Sequence, residues 1–326
     1  MRAPGFWART PPSPLARLLA PAGSLYGSFT AKRMDEPGER AACPVLCIGN
    51  LTLGGAGKTP TAIAVATMLR EQGRRPAFLS RGYGGREQGP LVVDPSRHDA
   101  DAVGDEPLLL ARFATTVVSR DRPAGAQLCT GGGADVVVMD DGLQNPTLAK
   151  DLSLAVVDAG AGIGNGLTFP AGPLRVPLAR QWPHVGGIVL IGDGAASGAI
   201  AREAERRGLP VHRGRLVPRA DHGLAGRPVF AFAGIGRPQK FFETLRSVGA
   251  ILVGTRVFGD HHRFTESELD ALAESAERVG ATLVTTEKDA VRLPPNFAQT
   301  LAVELVFENE VTVRAQLQEM LGPRPA

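Results

Sequence analysis

The chain has 326 residues, of which 43% are apolar and 21% charged, a composition that forms a packed core and excludes a disordered or low-complexity chain. The 40 glycines and 26 prolines exceed the usual share, and with no Gly-x-y period or longer repeat they belong in turns and tight loops rather than in a fibre or solenoid. A net charge of +3 suits a phosphorylated ligand, an anionic membrane face or nucleic acid, and selects none of them.

Taken in chain order, the N-terminal segment lacks an apolar signal-peptide core, being interrupted by Arg9, Pro11, Pro12 and Pro14. No apolar run of about 18 residues occurs anywhere, so a spanning helix is not expected. On a helical wheel Leu15, Leu18, Leu19, Ala22, Leu25, Tyr26 and Phe29 fall within an arc of about 120°. Phe6, Trp7, Arg2, Arg9, Arg17, Lys32 and Arg33 surround this stripe. Two placements fit it: packed on the protein's own sheet, or laid in a membrane interface with the cations near anionic headgroups. Pro21 and Gly23 are expected to kink or split the helix.

Short Val/Ile/Leu-rich runs then alternate with helical stretches at 44–48, 76–79, 115–118, 135–139, 152–157 and 187–191. Continuous apolar runs of this length are those of parallel strands buried on both faces, which predicts a doubly wound α/β domain. Further runs at 229–233, 251–257, 282–285 and 301–307 predict a second, smaller α/β unit, joined by an Arg/Gly/Pro-rich linker at 213–227. The expected division is an N-terminal amphipathic helix over 1–36, a nucleotide-binding core over 37–222 and the smaller unit over 223–326. Cys43, Cys47 and Cys129 are odd in number and lack paired metal spacing, which points to a reducing compartment; Cys43 and Cys47 read as core strand residues.

Immediately after the first run stands Gly49-Asn50-Leu51-Thr52-Leu53-Gly54-Gly55-Ala56-Gly57-Lys58-Thr59-Pro60, followed by a helical stretch over 61–70. A strand, a Gly-rich loop and a helix in that order form a phosphate cradle, in which loop amides and the helix dipole face the anion. Residues Thr52, Leu53, Gly54, Gly55, Ala56, Gly57, Lys58 and Thr59 are thus the expected ATP-binding loop, with Lys58 on the β/γ-phosphates and Thr59 on Mg2+. Thr52 stands where the usual pattern has its first glycine. Pro60 costs little in a first helical turn.

The run ending in Asp140-Asp141-Gly142-Leu143-Gln144 places two acids where a neighbouring strand of such a fold holds the metal. Asp105, in Gly104-Asp105-Glu106-Pro107, has the pattern of a helix N-cap and also suits a base that takes a proton from an attacking hydroxyl. Asp260-His261-His262 precedes a helix capped by Thr265; the adjacent histidines lack zinc spacing, and one of them can polarise Asp105 if the second unit closes over the phosphate loop.

These segments, with Ser80-Arg81-Gly82-Tyr83-Gly84-Gly85, Gly164-Asn165-Gly166, Pro170-Ala171-Gly172-Pro173-Leu174-Arg175, 231–242 and Thr285-Thr286-Glu287-Lys288-Asp289, together resemble the tetraacyldisaccharide 4'-kinase family, the lipid A kinases of Gram-negative bacteria, from the N-terminal helix to about residue 293. The resemblance implies transfer of the ATP γ-phosphoryl group to the 4'-hydroxyl of a tetraacylated disaccharide 1-phosphate at the cytoplasmic face of the inner membrane, with Mg2+ as cofactor. It implies Asp105 with His261 as base, Lys58 on the phosphates, Thr59, Asp140 and Asp141 at the metal, and Tyr83, Arg175 and Gln144 near the acceptor. Thr52 is similar to what the family has there. The family often carries Glu where Val176 stands, so Asp140 or Asp141, or water, is expected to fill that role.

An acceptor held in the bilayer favours the interfacial placement of the N-terminal stripe. The nearest rival is a P-loop kinase of a soluble acceptor; a nucleotide-dependent switch or nucleic-acid-associated NTPase is disfavoured by the absence of an RNP-type aromatic motif or dense Lys/Arg tract. No nucleic acid and no obligate protein partner is expected.

Overall fold

The computed structural model describes residues 4–219 and 222–322; Arg2 lies outside them, as do residues 220 and 221 of the expected linker. The strands, in chain order, are β1 (Val45–Asn50), β2 (Pro76–Ser80), β3 (Leu91–Val92), β4 (Thr116–Val118), β5 (Val136–Asp140), β6 (Leu152–Asp158), β7 (Gly187–Ile191), β8 (Val211–Pro218), β9 (Pro228–Ala233), β10 (Ile251–Val257), β11 (Thr282–Thr286), β12 (Gln299–Leu301) and β13 (Val303–Phe307). The helices are α1 (Pro14–Met34), α2 (Lys58–Glu71), α3 (Ala100–Val103), α4 (Asp105–Leu110), α5 (Arg122–Gly131), α6 (Leu178–Gln181), α7 (Ser197–Arg206), α8 (Pro238–Ser247), α9 (Glu266–Arg278), α10 (Glu287–Ala290) and α11 (Glu310–Met320).

Nine strands form one sheet in the order β13-β8-β7-β6-β1-β5-β2-β4-β3, parallel from β8 through β4, with the two edge strands β13 and β3 antiparallel to their neighbours. Strands β1, β2, β5 and β7 are buried along their whole length, the physical counterpart of their unbroken apolar sequences. Helices α2, α4 and α11 cover one face and α5 and α7 the other. A second, four-stranded parallel sheet, β10-β9-β11-β12, has its own core around Val229, Ala231, Phe242 and Leu245.

Two sequence-based expectations are corrected here. The segment read as a linker holds most of β8, a strand that begins at Val211 and pairs with β7 over Val211–Gly214, and the run at 301–307 does not stay in the smaller unit. It divides at Ala302: β12 closes the small sheet, whereas β13 returns to the large sheet beside β8, and Leu305, Phe307, Val313 and Leu317 join the core over α2. The small sheet is therefore an insertion between β8 and β13. Cys47 lies in β1 as expected, but Cys43 is in the bend before it; both are buried.

Helix α1 runs through Pro21 and Gly23 without a break, contrary to the expected kink or split. The glycines serve contact instead: a Cβ on Gly23 would come within 2.6 Å of Thr168 O, and one on Gly27 within 2.8 Å of Pro177. Ala16, Gly23, Gly27, Ala31 and Met34 form its buried stripe, with Ala31 and Met34 packed on Val176. Leu18, Leu25 and Phe29 remain 78%, 77% and 68% exposed, so small residues dock the helix and the large apolar ones face outward. Trp7, buried, donates from Nε1 to Pro170 O (3.1 Å), adding a second anchor on the same 168–177 segment.

The backbone contact at Gly23 leaves no room for a branched side chain. Gly23→Val is expected to destabilise the protein by about 1–3 kcal/mol, read as a lower melting temperature, whereas Leu25→Val on the exposed side should change it little.

Candidate active site at the edge of the large sheet

Strand β1 ends in the middle of the large sheet, between β5 and β6, and the Gly-rich loop leaves from its carboxyl end. Such an edge is where open α/β sheets bind ligands. Gly57 has φ +93° and Gly54 φ +105°, conformations that a side chain would strain. At Gly57 a Cβ would also meet Ile191 at 2.5 Å. Gly57 is the N-cap of α2, which begins at Lys58, three residues earlier than its sequence suggested, so Lys58 and Thr59 sit at the positive end of the helix dipole.

The first half of the loop is held differently. Thr52 bridges Leu174 in antiparallel fashion, Leu53 N donates to Pro173 O (2.7 Å), and Arg175 N donates to Leu51 O (3.1 Å). A residue in a strand-like pairing needs no glycine, and a β-branched side chain favours it. This explains Thr52 at the position where the common pattern has its first glycine.

The segment zipped to the loop also brings in Arg175. Its Nη2 donates to Asp141 Oδ2 (3.0 Å), its Nε to Thr52 O (3.2 Å) and its Nη1 to Gln144 Oε1 (3.4 Å). Lys58 Nζ lies 3.7 Å from Asp141 Oδ1. Gln144 donates to Asn50 O (2.8 Å) and Gln181 Oε1 (3.0 Å), fixing the turn after β5 against the end of β1. Asp141 itself has φ +55°, a strained setting for a non-glycine residue.

The paired acids differ in environment. Burial would raise Asp141, but Lys58 and Arg175 outweigh it and hold the carboxyl below the usual range. Asp140 is pushed up to about 7, chiefly by burial, with Lys58 opposing and Asp141 and Glu106 adding. Oδ1 of Asp140 and Oδ1 of Asp141 are buried without hydrogen-bond partners. Two adjacent orphaned carboxylate oxygens beside a phosphate loop fit a hard divalent cation such as Mg2+. Val176, where a third carboxylate was expected to be missing, is fully buried beneath α1 and contributes packing.

A second group joins α4 of the large unit to the inserted unit. Asp105 follows Gly104 (φ +91°) as the first residue of α4; Gly104, not Asp105, is the N-cap, so the capping expectation is corrected. The Asp105 carboxylate is used elsewhere: Oδ2 pairs with His261 Nδ1 at 2.7 Å and Oδ1 lies 3.3 Å from Arg292 Nε. His261 has φ +58°, and Tyr83, 70% exposed, is edge-on to its ring at 5.6 Å. His262 turns away to Glu268 (2.9 Å), within the capping box of α9. Lys288, on α10, contacts Glu106 (2.9 Å), His261 Nε2 (3.1 Å) and Asp260 (3.6 Å). Burial alone would lower Lys288, but Glu106 and Asp260 hold its ammonium above the usual lysine range. Lys288 and Arg292 were not singled out individually from the sequence, because Glu106 and Asp105, their partners in the large unit, lie more than 150 residues away.

These features define a P-loop phosphotransferase: a phosphate cradle, a basic reach from Lys58 and a pair of metal-competent acids. The family model for Tetraacyldisaccharide-1-P 4'-kinase (LpxK) matches residues 15–323, and the chain belongs to that family. A protein named tetraacyldisaccharide 4'-kinase from Methylorubrum extorquens (strain PA1) is 67% identical over 320 residues, covering 97% of this chain and 98% of the relative. One from Methylobacterium radiotolerans is 65% identical over 325 residues, covering 99% of each. The crystal structure of LpxK from Aquifex aeolicus in complex with ATP aligns with a TM-score of 0.75 at 25% identity, covering 94% of this chain and 99% of that one.

The raised Asp140 gives a test by pH. The folded protein keeps a proton on Asp140 up to about pH 7, against a starting value of 3.8, so between those limits the folded state binds more protons and loses stability as pH rises. In chelator, Asp140→Asn should therefore be more stable than the parent at pH 8, by on the order of 1 kcal/mol or more and read as a higher melting temperature, and less so at pH 4.5. Equal melting differences at the two pH values would show that Asp140 is not held protonated.

Proposed function

We propose that the protein transfers the γ-phosphoryl group of ATP to the 4'-hydroxyl of a tetraacyldisaccharide 1-phosphate, working at the surface of the inner membrane. The observation that carries this is the phosphate loop with Lys58, Arg175 and two acids at its mouth, each with one buried oxygen that makes no hydrogen bond, in a chain of the tetraacyldisaccharide 4'-kinase family. The ATP named for the Aquifex protein supports a nucleotide triphosphate as donor.

Residues 52–59 would cradle the phosphates through their amides, and Lys58 would neutralise charge on the β/γ-phosphates. Thr59, Asp140 and Asp141 would hold Mg2+, which when bound offsets further phosphate charge. Arg175, now spanning Asp141, Gln144 and Thr52, is placed to meet the acceptor or its phosphate. Tyr83 and Gln144 complete the acceptor side. Asp105, with His261 as its partner, takes the proton as the sugar oxygen attacks phosphorus; the new O–P bond forms while the bond to ADP breaks. Most of the acceleration comes from position and preorganised charge.

The lipid acceptor is supported by α1. Leu15, Leu18, Leu25, Tyr26 and Phe29 are exposed along one side of it, with Arg17, Lys32 and Arg33 also exposed, and no helix among the described residues is long and apolar enough to cross a membrane. Burying three such side chains in an interface would contribute roughly 1.5 kcal/mol or more each. A soluble acceptor would leave that stripe without a role.

Incubation with labelled ATP, Mg2+ and the acylated disaccharide 1-phosphate in micelles should give a bisphosphorylated lipid; no transfer would refute the assignment. Lys58→Ala and Asp105→Ala should each lower kcat by on the order of 10² or more. Near-normal turnover of Asp105→Ala would remove it from the base role. In flotation with vesicles containing anionic lipid, replacing Leu18, Leu25 and Phe29 with Ser should shift the protein from the floating to the bottom fraction at unchanged melting temperature. Undiminished flotation would count against α1 as the contact.

A further inference from the structure

The densest cluster of charges away from the phosphate loop joins α4, the turn before α9 and α10. Asp105, Glu106 and His261 bring ligand atoms within 4.8 Å of one another, a donor set of the kind that holds a divalent cation. The protein supplies its own cation there. Lys288 Nζ lies 2.9 Å from Glu106 Oε1, 3.1 Å from His261 Nε2 and 3.6 Å from Asp260 Oδ1, and it is three-quarters buried.

An ammonium has three N–H donors and no acceptor. His261 Nε2 must therefore accept from Lys288, which places the proton of the neutral ring on Nδ1, the atom 2.7 Å from Asp105 Oδ2. His261 is also pinned through its backbone, at φ +58°, by the bond from its N–H to Gly234 O (3.1 Å). We infer that Lys288 is a positioning residue that fixes His261 as the Nδ1–H tautomer and so aims Asp105 at the acceptor hydroxyl. The name of proton acceptor for Asp105 rests on the function proposed above; the tautomer rests on this geometry alone.

The arrangement also separates two roles. With both ring nitrogens occupied, His261 does not take the hydroxyl proton; it donates to Asp105 and holds it. Each Asp105 oxygen carries two lone pairs, so one remains for the incoming proton even with His261 and Arg292 in place. The O–H bond of the sugar breaks toward that lone pair as its oxygen bonds to phosphorus. Glu106 and Asp260 keep Lys288 in place from either side, one from each sheet's territory. A lysine that merely tied the two units together would need only these carboxylates, and its contact with the imidazole would be incidental.

The test is a nitrogen NMR spectrum of the full-length protein labelled in its histidine rings, with His261→Ala to assign the signal. The native protein is expected to show His261 with Nδ1 protonated and Nε2 bare. Lys288→Met should remove the donor that keeps Nε2 bare, so that Nε2 takes up a proton while Nδ1–H stays on Asp105, and lower kcat at least tenfold while the KM for ATP stays within twofold. Lys288→Arg, which keeps a charged donor, should restore the tautomer and most of the lost kcat. An Nε2–H ring in the native protein overturns the inference, and that reading is available even if Lys288→Met does not fold. A Met variant that loses kcat with the native tautomer intact overturns it as well, leaving Lys288 a structural tie. Because the spectrum needs no substrate, a wrong acceptor in the function proposed above would appear in the transfer assay and leave this result standing.

Discussion

Two carboxylates at the end of a fully buried strand are the constraint around which the site is built. Asp140 and Asp141 leave β5 into a space where burial penalises their charge, and cations from two separate stretches of chain meet that penalty. Lys58 comes from the start of α2, and Arg175 from a segment more than a hundred residues later. The same Arg175 segment is zipped to the phosphate loop through Thr52, Leu53 and Leu51. Loop shape, acid placement and basic reach are thus one coupled arrangement. Lys58 acts on both acids, the buried Asp140 included, whereas Arg175 pairs with Asp141, whose side chain is 37% exposed; loss of Lys58 is therefore the costlier of the two.

That segment also links the site to the N-terminal helix. Residues 168–177 carry Arg175 to Thr52 of the Gly-rich loop and to Asp141 on one side and receive Gly23, Gly27, Ala31 and Met34 on the other. Small residues allow α1 to lie close to the loop, and Val176 fills the contact directly beside Arg175. The large apolar residues of α1 are thereby turned outward.

Much of this was legible in the sequence because it is local. Parallel strands showed as continuous Val/Ile/Leu runs, and the Gly-Lys-Thr triplet and the Asp-Asp pair stand beside the strands that position them. Strand β8 was not legible: at the sheet's flank its burial alternates, so Arg213, Gly214 and Arg215 read as a linker. Strand β13 gave a clear β signal but no sign of which sheet it would join, since its partner precedes it by some ninety residues. The wheel of α1 identified its greasy stripe correctly but not that Gly23 and Gly27, rather than Leu and Phe, would be its docking side. The residues offered either His261 or His262 as a partner for Asp105, and only the resemblance chose His261; Lys288 and Arg292, which complete their surroundings, have no local signature because every partner in the large unit is distant in sequence.

The insertion of the small sheet between β8 and β13 has a mechanical consequence. Both connections emerge from a single antiparallel ribbon on the flank of the large sheet, so the inserted unit is joined to it covalently through one two-stranded stalk. Its other ties include charged pairs, Arg237 and Lys240 on Asp158, Arg263 on Asp101, Lys288 on Glu106, and His261 and Arg292 on Asp105, together with Tyr83 against His261 and Val291 packed on the cluster around Val103 and Leu108. A swing about the stalk would carry His261, Lys288 and Arg292 while Asp105 and Glu106 stayed behind, so this charged cluster would be parted without disturbing the Gly-rich loop of the large sheet.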